Sequence, residues 1–168
     1  MAWLLLIILI SFFAILFIWV RRALRVFSGS RMLRISGLAL FVANAFVALT
    51  AVFGGITVAA GIDKFPADWL TGTVFSSYLI PGLVLCVVVG GSATVAAVAT
   101  IRDQKSGAIS SALAGGILLG WLVGERLILP PAAFSPQFWW LEAIYVAAGL
   151  VMVGSAVTAV WIGSKHRF

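Results

Sequence analysis

Five apolar stretches of about twenty residues each constrain the fold of this 168-residue chain more than any other feature. They cover residues 2–20, 35–60, 78–101, 109–129 and 141–163. An α-helix needs about 20 apolar residues to cross a hydrocarbon core roughly 30 Å thick. The stretches lack the alternation of barrel strands and are too long for them. They predict an all-α integral membrane protein, a single domain over residues 1–168 with five transmembrane helices.

Composition supports a lipid environment for most of the surface. Hydrophobic residues make up 63% of the chain and charged residues 10%, whereas soluble domains carry about 45–50% and about 25%. So few polar side chains do not cover a water-facing globule of this size. We therefore expect the lipid bilayer to be the main partner of the folded chain.

The first apolar stretch differs from a cleaved signal peptide. A signal peptide has basic residues before its apolar region and a cleavage site after it. Here no basic residue precedes the stretch, and Arg21 and Arg22 follow it. We expect residues 2–20 to remain as a helix whose N-terminus lies outside.

The distribution of basic residues predicts the orientation. Five arginines separate the first two stretches, two basic residues separate the third and fourth, and two lie in the C-terminal tail, which places nine of the eleven on one side. Short loops rich in Lys and Arg stay cytoplasmic, so the C-terminus is expected inside, as in a plasma membrane protein. The formal charge of +6 is explained by this pattern and not by nucleic-acid binding. The arginines expected to meet anionic lipid are Arg21, Arg22, Arg25, Arg31 and Arg34.

The first stretch differs from the other four in its content of small residues. Residues 2–20 are bulky on every face, whereas the fourth stretch repeats small residues every four positions, at Ala108, Ala112, Gly116, Gly120 and Gly124. Small residues let helices approach closely in lipid. We expect a four-helix core bundle of helices two to five with a peripheral N-terminal helix. Such a strip serves either packing within the monomer or a homodimer.

Asn44 is the most polar side chain within these stretches, apart from the charged residues. In a hydrocarbon environment its amide is expected to bind a neighbouring hydroxyl or carbonyl group. A structural role is the first interpretation, and a functional site is the alternative.

Aromatic residues are concentrated on the predicted outer side. The loops at 61–77 and 130–140 and the helix starts beside them hold Trp69, Tyr78, Trp139 and Trp140. Aromatic rings favour membrane interfaces, so an ordinary aromatic belt is one interpretation. The other is the lining of a binding site.

Three segments resemble a known group of sequences. WLTGTVFSSYLIPGLVL is similar to a motif, roughly W-L-x-G-S-P-F-x-D-Y-L-I-P-G-L, of small uncharacterised bacterial multi-pass membrane proteins; GWLVGERLIL and QFWWLEAIYVAAGL are similar to the same group. Val74 and Ser77 stand where the motif has proline and aspartate. The resemblance covers helices two to five. It implies a bacterial plasma membrane and a four-helix core, and it implies no activity.

Two adjacent charges, Glu125 and Arg126, interrupt the fourth stretch near its predicted outer end. Neighbouring residues on a helix point about 100° apart, so they are not expected to pair with each other. Glu142 is the expected counter-ion of Arg126 across the second loop. We expect Glu125 to face inward above Trp121, and charged residues within a membrane are functional candidates. A purely structural acid is the alternative.

The sequence favours a non-catalytic protein. The single histidine, His166, lies in the tail, no metal-ligand spacing is present, and no cofactor is expected. One hypothesis is a pocket for a lipid or hydrophobic small molecule, lined by Glu125, Trp121, Trp69, Tyr78, Trp139 and Trp140. The alternative is an accessory subunit of a larger membrane complex that docks on a membrane protein partner through helix one.

Overall fold

The computed structural model describes residues 31–62, 65–129 and 139–165. Four long helices account for most of them: α1 (Arg31–Ala59), α2 (Leu79–Arg102), α3 (Gln104–Ile128) and α4 (Trp139–Lys165). No strand occurs in these ranges. The predicted first helix, residues 2–20, and Arg21, Arg22 and Arg25 lie outside the described residues. Each of the four helices is long and apolar enough to cross a membrane.

Local sequence signals set the helix ends. Helix α1 ends at Ala59, and the chain turns at Gly61, whose φ of 66° suits glycine. The amide of Ile62 donates to the carbonyl of Thr57. Helix α3 begins after Asp103, whose carboxylate accepts the backbone N–H of Ser106 at 2.8 Å. It ends before Pro130, and the intervening Leu129 is extended, as expected before proline.

Helix α2 is irregular in its first half. An α-helical turn over Leu79–Leu83 is followed by a π-helical segment over Val84–Gly90, and α-helix resumes at Gly91–Arg102. Pro81 is the third residue of the helix, where its missing N–H removes no helical hydrogen bond. The π-helical segment begins three residues after Pro81 and ends at Gly90.

The four helices form a closed antiparallel bundle. Consecutive helices pack against each other, α4 packs back on α1, and α1 also meets α3 across the centre. The main core takes one large apolar side chain from each helix: Val47, Val89, Leu118 and Met152, all at most 2% exposed. Alanines fill most of the remaining core, and a second cluster contains Leu40, Ala108 and Ala156.

Helices α1 and α2 touch backbone to backbone. A Cβ atom on Gly55 would lie 2.6 Å from the carbonyl oxygen of Gly82, and one on Gly82 would lie 2.5 Å from the backbone nitrogen of Ala59. Both positions require glycine because no side chain moves to relieve such contacts. Gly55 and Gly82 therefore set the distance between α1 and α2.

Only the first part of the expected strip on α3 is a packing face within the bundle, because Ala108 and Ala112 pack in the second cluster. Ala108 is buried, but Gly116 and Gly120 are exposed, and a Cβ on either, or on Gly124, would meet nothing within 4 Å. Positions four apart advance about 400° at 3.6 residues per turn, so each step rotates the strip by about 40°. The series therefore turns away from the core, and Gly115 makes the close contact with Gly149 of α4 instead.

Candidate functional site at the ends of helices α3 and α4

Glu125 lies in the last turn of α3, at the end of the bundle where α3 stops and α4 begins. Its carboxyl group is largely removed from solvent. Trp121 precedes it by one turn on the same face, and its indole N–H interacts with the carboxylate. Trp121 also packs against the main core. The carboxylate therefore rests directly above the apolar interior.

Arg126 and Glu142 form an ion pair between α3 and α4. The Nε atom of Arg126 donates to Oε1 of Glu142 at 2.6 Å, and its second nitrogen donates to Oε2. This two-point geometry suits a guanidinium and a carboxylate. The side chains are 49% and 29% exposed, so the pair lies at the rim and not in the interior.

Glu125 is left without a cation among the described residues. Its interaction partner is Trp121, and Glu142 lies close enough to repel it. Glu125, Arg126 and Glu142 together carry a formal charge of −1. These three side chains can accept a hydrogen bond from a molecule that reaches the end of α3. They can also compensate a positive charge on such a molecule.

Aromatic rings extend this region toward α1. Tyr145 follows Glu142 by three residues on α4 and packs against the main core. Its ring centroid lies 5.9 Å from that of Phe46 on α1, with an interplanar angle of 36°. Sequence reasoning missed both residues, because nothing in the sequence pairs positions separated by two helices.

Trp69 and Tyr78 form an aromatic cluster with Phe65. Phe65 lies between them, with ring centroids 5.8 Å from Trp69 and 5.6 Å from Tyr78. The hydroxyl of Tyr78 donates to the carbonyl of Pro66 at 2.7 Å. This cluster braces the loop between α1 and α2.

Contacts among the described residues link four of the six expected lining residues, in two pairs. The hydrogen bonds and ring contacts of the described residues join Glu125 to Trp121, and Trp69 to Tyr78 through Phe65. Trp139 and Trp140 lie exposed in the first turn of α4, at 68% and 51%. Residues 130–138, which connect α3 to α4, lie outside the described residues. The compact candidate site is Glu125, Trp121, Arg126 and Glu142.

Asn44 lies apart from this site, in the interior between α1 and α3. Its amide nitrogen donates to the hydroxyl of Ser111 on α3 at 2.8 Å. This is the kind of partner expected for an asparagine in apolar surroundings. The sequence offered no signal that selected Ser111 from the other serines and threonines.

The described ranges hold no group of three His, Cys, Asp or Glu side chains placed to bind a metal ion. Comparison of the chain with protein-family models, with curated proteins and with solved structures finds no match.

Proposed function

We propose that the chain is a non-catalytic integral membrane protein that holds a lipid or hydrophobic small molecule at Glu125, in the outer leaflet of a plasma membrane. The observation that carries this proposal is a largely buried carboxylate whose neighbouring cation is engaged by another acid.

The outer surface of the bundle supports insertion in lipid. Each helix turns large apolar side chains outward, and Phe53, Val95, Leu113 and Leu150 are all more than half exposed. The apolar segments of the helices run for 20 to 26 residues, which matches the roughly 20 residues that span a hydrocarbon core. In water this apolar surface would promote aggregation, whereas in a bilayer it contacts lipid chains.

The charges at the two ends support one orientation. Arg34, Arg102 and Lys105 are exposed at the end where α1 and α3 begin, and basic residues of short loops stay in the cytoplasm. The opposite end, with Glu125 and Glu142, then faces outward. Glu125 precedes the end of α3 by three residues, or about 5 Å at 1.5 Å per residue, so its carboxylate lies just beneath the outer surface.

The environment of Glu125 selects the chemistry of the ligand. A charged side chain within a membrane requires a partner or access to water. Arg126 is held by Glu142, and the indole of Trp121 supplies a single N–H. The carboxylate therefore favours a molecule with an apolar body and a polar end that donates hydrogen bonds or carries positive charge.

Native mass spectrometry tests the proposal on protein extracted gently from its own membrane. The wild type is compared with Glu125→Gln and with Asp68→Asn, which removes an exposed acid from the loop between α1 and α2. We expect a bound lipid or small molecule that Asp68→Asn retains and Glu125→Gln loses. Equal occupancy in all three proteins would contradict a site at Glu125.

A variant lacking residues 1–20 addresses the alternative in the same experiment. The accessory-subunit hypothesis depends on helix one, which lies outside the described residues. A ligand-free protein that co-purifies with another chain only when residues 1–20 are present would replace the binding proposal with that alternative. Retention of the ligand by the truncated protein would support the site at Glu125.

A further inference from the structure

Asn44 places a complete amide group in the core of the bundle. Its side chain is 0% exposed. The amide nitrogen donates one hydrogen to the carbonyl of Leu40 at 2.7 Å and the other to the hydroxyl of Ser111 at 2.8 Å. Both amide hydrogens are therefore used, one within α1 and one across the centre to α3.

These two bonds fix the orientation of the amide. Exchanging the nitrogen and oxygen would bring the amide oxygen within 2.7 Å of the Leu40 carbonyl oxygen, and two acceptors at that distance repel each other. Oδ1 therefore points elsewhere in the core. It is buried and accepts no hydrogen bond from the residues that the structure describes.

Among the residues that the structure describes, the neighbouring core side chains supply no donor. One turn from Asn44 on α1 lie Leu40 and Ala48, and three residues from Ser111 on either side lie Ala108 and Ala114, all buried. Their side chains are hydrocarbon. An unsatisfied amide oxygen in apolar surroundings costs free energy.

Ser111 offers a donor beside this acceptor. Its side chain is also 0% exposed, and its hydroxyl accepts the hydrogen from Asn44. A hydroxyl group both accepts and donates, and the hydrogen bond found for this side chain is the one that it accepts. An unused acceptor on α1 and an unused donor on α3 therefore lie on either side of one hydrogen bond.

We propose that a single buried water molecule lies between α1 and α3, where it accepts the hydroxyl hydrogen of Ser111 and donates to Oδ1 of Asn44. The water closes a ring with the direct bond between the two side chains. Buried waters typically bridge polar groups that the protein leaves unsatisfied. This site is separate from Glu125, which follows Ser111 by fourteen residues on α3.

The composition of the chain allows a direct test, because Asn44 is the single asparagine in the sequence. Protein made with asparagine labelled with ¹³C and ¹⁵N in the side chain carries one reporter amide. In detergent micelles we expect the labelled carbonyl to absorb at the lower infrared frequency of a hydrogen-bonded amide. We also expect a nuclear Overhauser cross-peak between water and the Asn44 amide protons.

Two serine variants locate the water. Ser111→Ala removes its donor, so the cross-peak should disappear and the carbonyl should shift toward the frequency of a free amide. Ser110→Ala removes a neighbouring hydroxyl that donates to its own helix at Ser106 and should change neither signal. A wild-type carbonyl at the free frequency without a water cross-peak would overturn the proposal, whether or not the variants fold. An unchanged Ser111→Ala spectrum would overturn it as well.

Discussion

Replacing Gly55 with alanine should destabilise the bundle by forcing α1 and α2 apart. The new Cβ atom would lie 2.5 Å from the backbone nitrogen of Cys86 and 2.6 Å from the carbonyl oxygen of Gly82. Ordinary van der Waals contact begins near 3.4 Å, so the backbones would have to separate by about 1 Å. The clashing atoms are main-chain atoms, and no rotamer change relieves them.

The expected loss follows from two opposing contributions. Overpacking costs roughly 1–3 kcal/mol, and a clash with backbone takes the upper end of that range. Alanine favours helix over glycine by about 1 kcal/mol. The net change for Gly55→Ala is therefore a loss of about 2 kcal/mol in the free energy of unfolding.

Gly116→Ala is the matched control, because it makes the same chemical change within a helix. A Cβ atom there would meet nothing within 4 Å. Only the helix preference remains, and we expect a gain of about 0.4–1 kcal/mol. The assay is unfolding by dodecyl sulfate in mixed micelles, followed by far-ultraviolet circular dichroism. Equal stability of the two variants, or a stabilised Gly55→Ala, would refute the crossing of α1 and α2 described above.

Three further predictions concern the charged groups. Asp103→Ala should cost about 1 kcal/mol in the same assay, because the N-cap of α3 is lost; Asp103→Asn, which can still cap the helix, should cost much less. The backbone and side-chain hydrogen bonds from Ser106 lower the pKa of Asp103 below its usual 3.8. The charged carboxylate therefore stabilises the fold fully above pH 3.8, and this stabilisation is lost as the pH falls through the lower pKa of the folded state. Wild type should therefore lose stability relative to Asp103→Asn on acidification below pH 3.8, and parallel pH profiles would contradict this. Glu125→Gln should weaken the binding of tetraphenylphosphonium by roughly tenfold in equilibrium dialysis and leave the binding of tetraphenylborate, its anionic counterpart of the same shape, unchanged. An equal effect on both ions would refute a charge-selective site.

The positions of the described helices follow closely from the apolar stretches. Four stretches, 35–60, 78–101, 109–129 and 141–163, coincide with α1 to α4. The largest difference is at α3, which begins at Gln104 because Asp103 caps it. Hydropathy alone does not reveal a helical first turn made of polar residues. The capping residue Asp103 does indicate where the helix begins.

The faces of the helices were harder to predict. The period of four on α3 looked like a flat strip, yet it drifts around the helix and leaves Gly116 and Gly120 outside. Which part of such a strip meets a neighbour depends on the crossing of α3 with α2 and α4, a property of the assembled bundle. The ion pair between Arg126 and Glu142 was easier to predict from the sequence, because a short loop brings the two helix ends together.

The remaining contacts at the candidate site depend on tertiary packing. Phe46 and Tyr145 are 99 positions apart in the sequence, and they meet because α4 packs back on α1. Trp69 and Tyr78, both expected to line the same site as Glu125, meet through Phe65. Aromatic composition indicated which end of the bundle carries these rings, but it did not indicate which rings meet.

Carbodiimide labelling in membrane vesicles tests the central claim most directly, namely that Glu125 presents an accessible carboxyl group in apolar surroundings. Dicyclohexylcarbodiimide enters lipid and reacts with carboxyl groups there, and peptide mapping by mass spectrometry locates the modified residue. We predict modification at Glu125, with little at Glu142, which is paired with Arg126, and little at the exposed Asp68. We also predict that tetraphenylphosphonium protects Glu125. An unmodified Glu125, or one labelled no more than Asp68 and unprotected by the cation, would contradict the account.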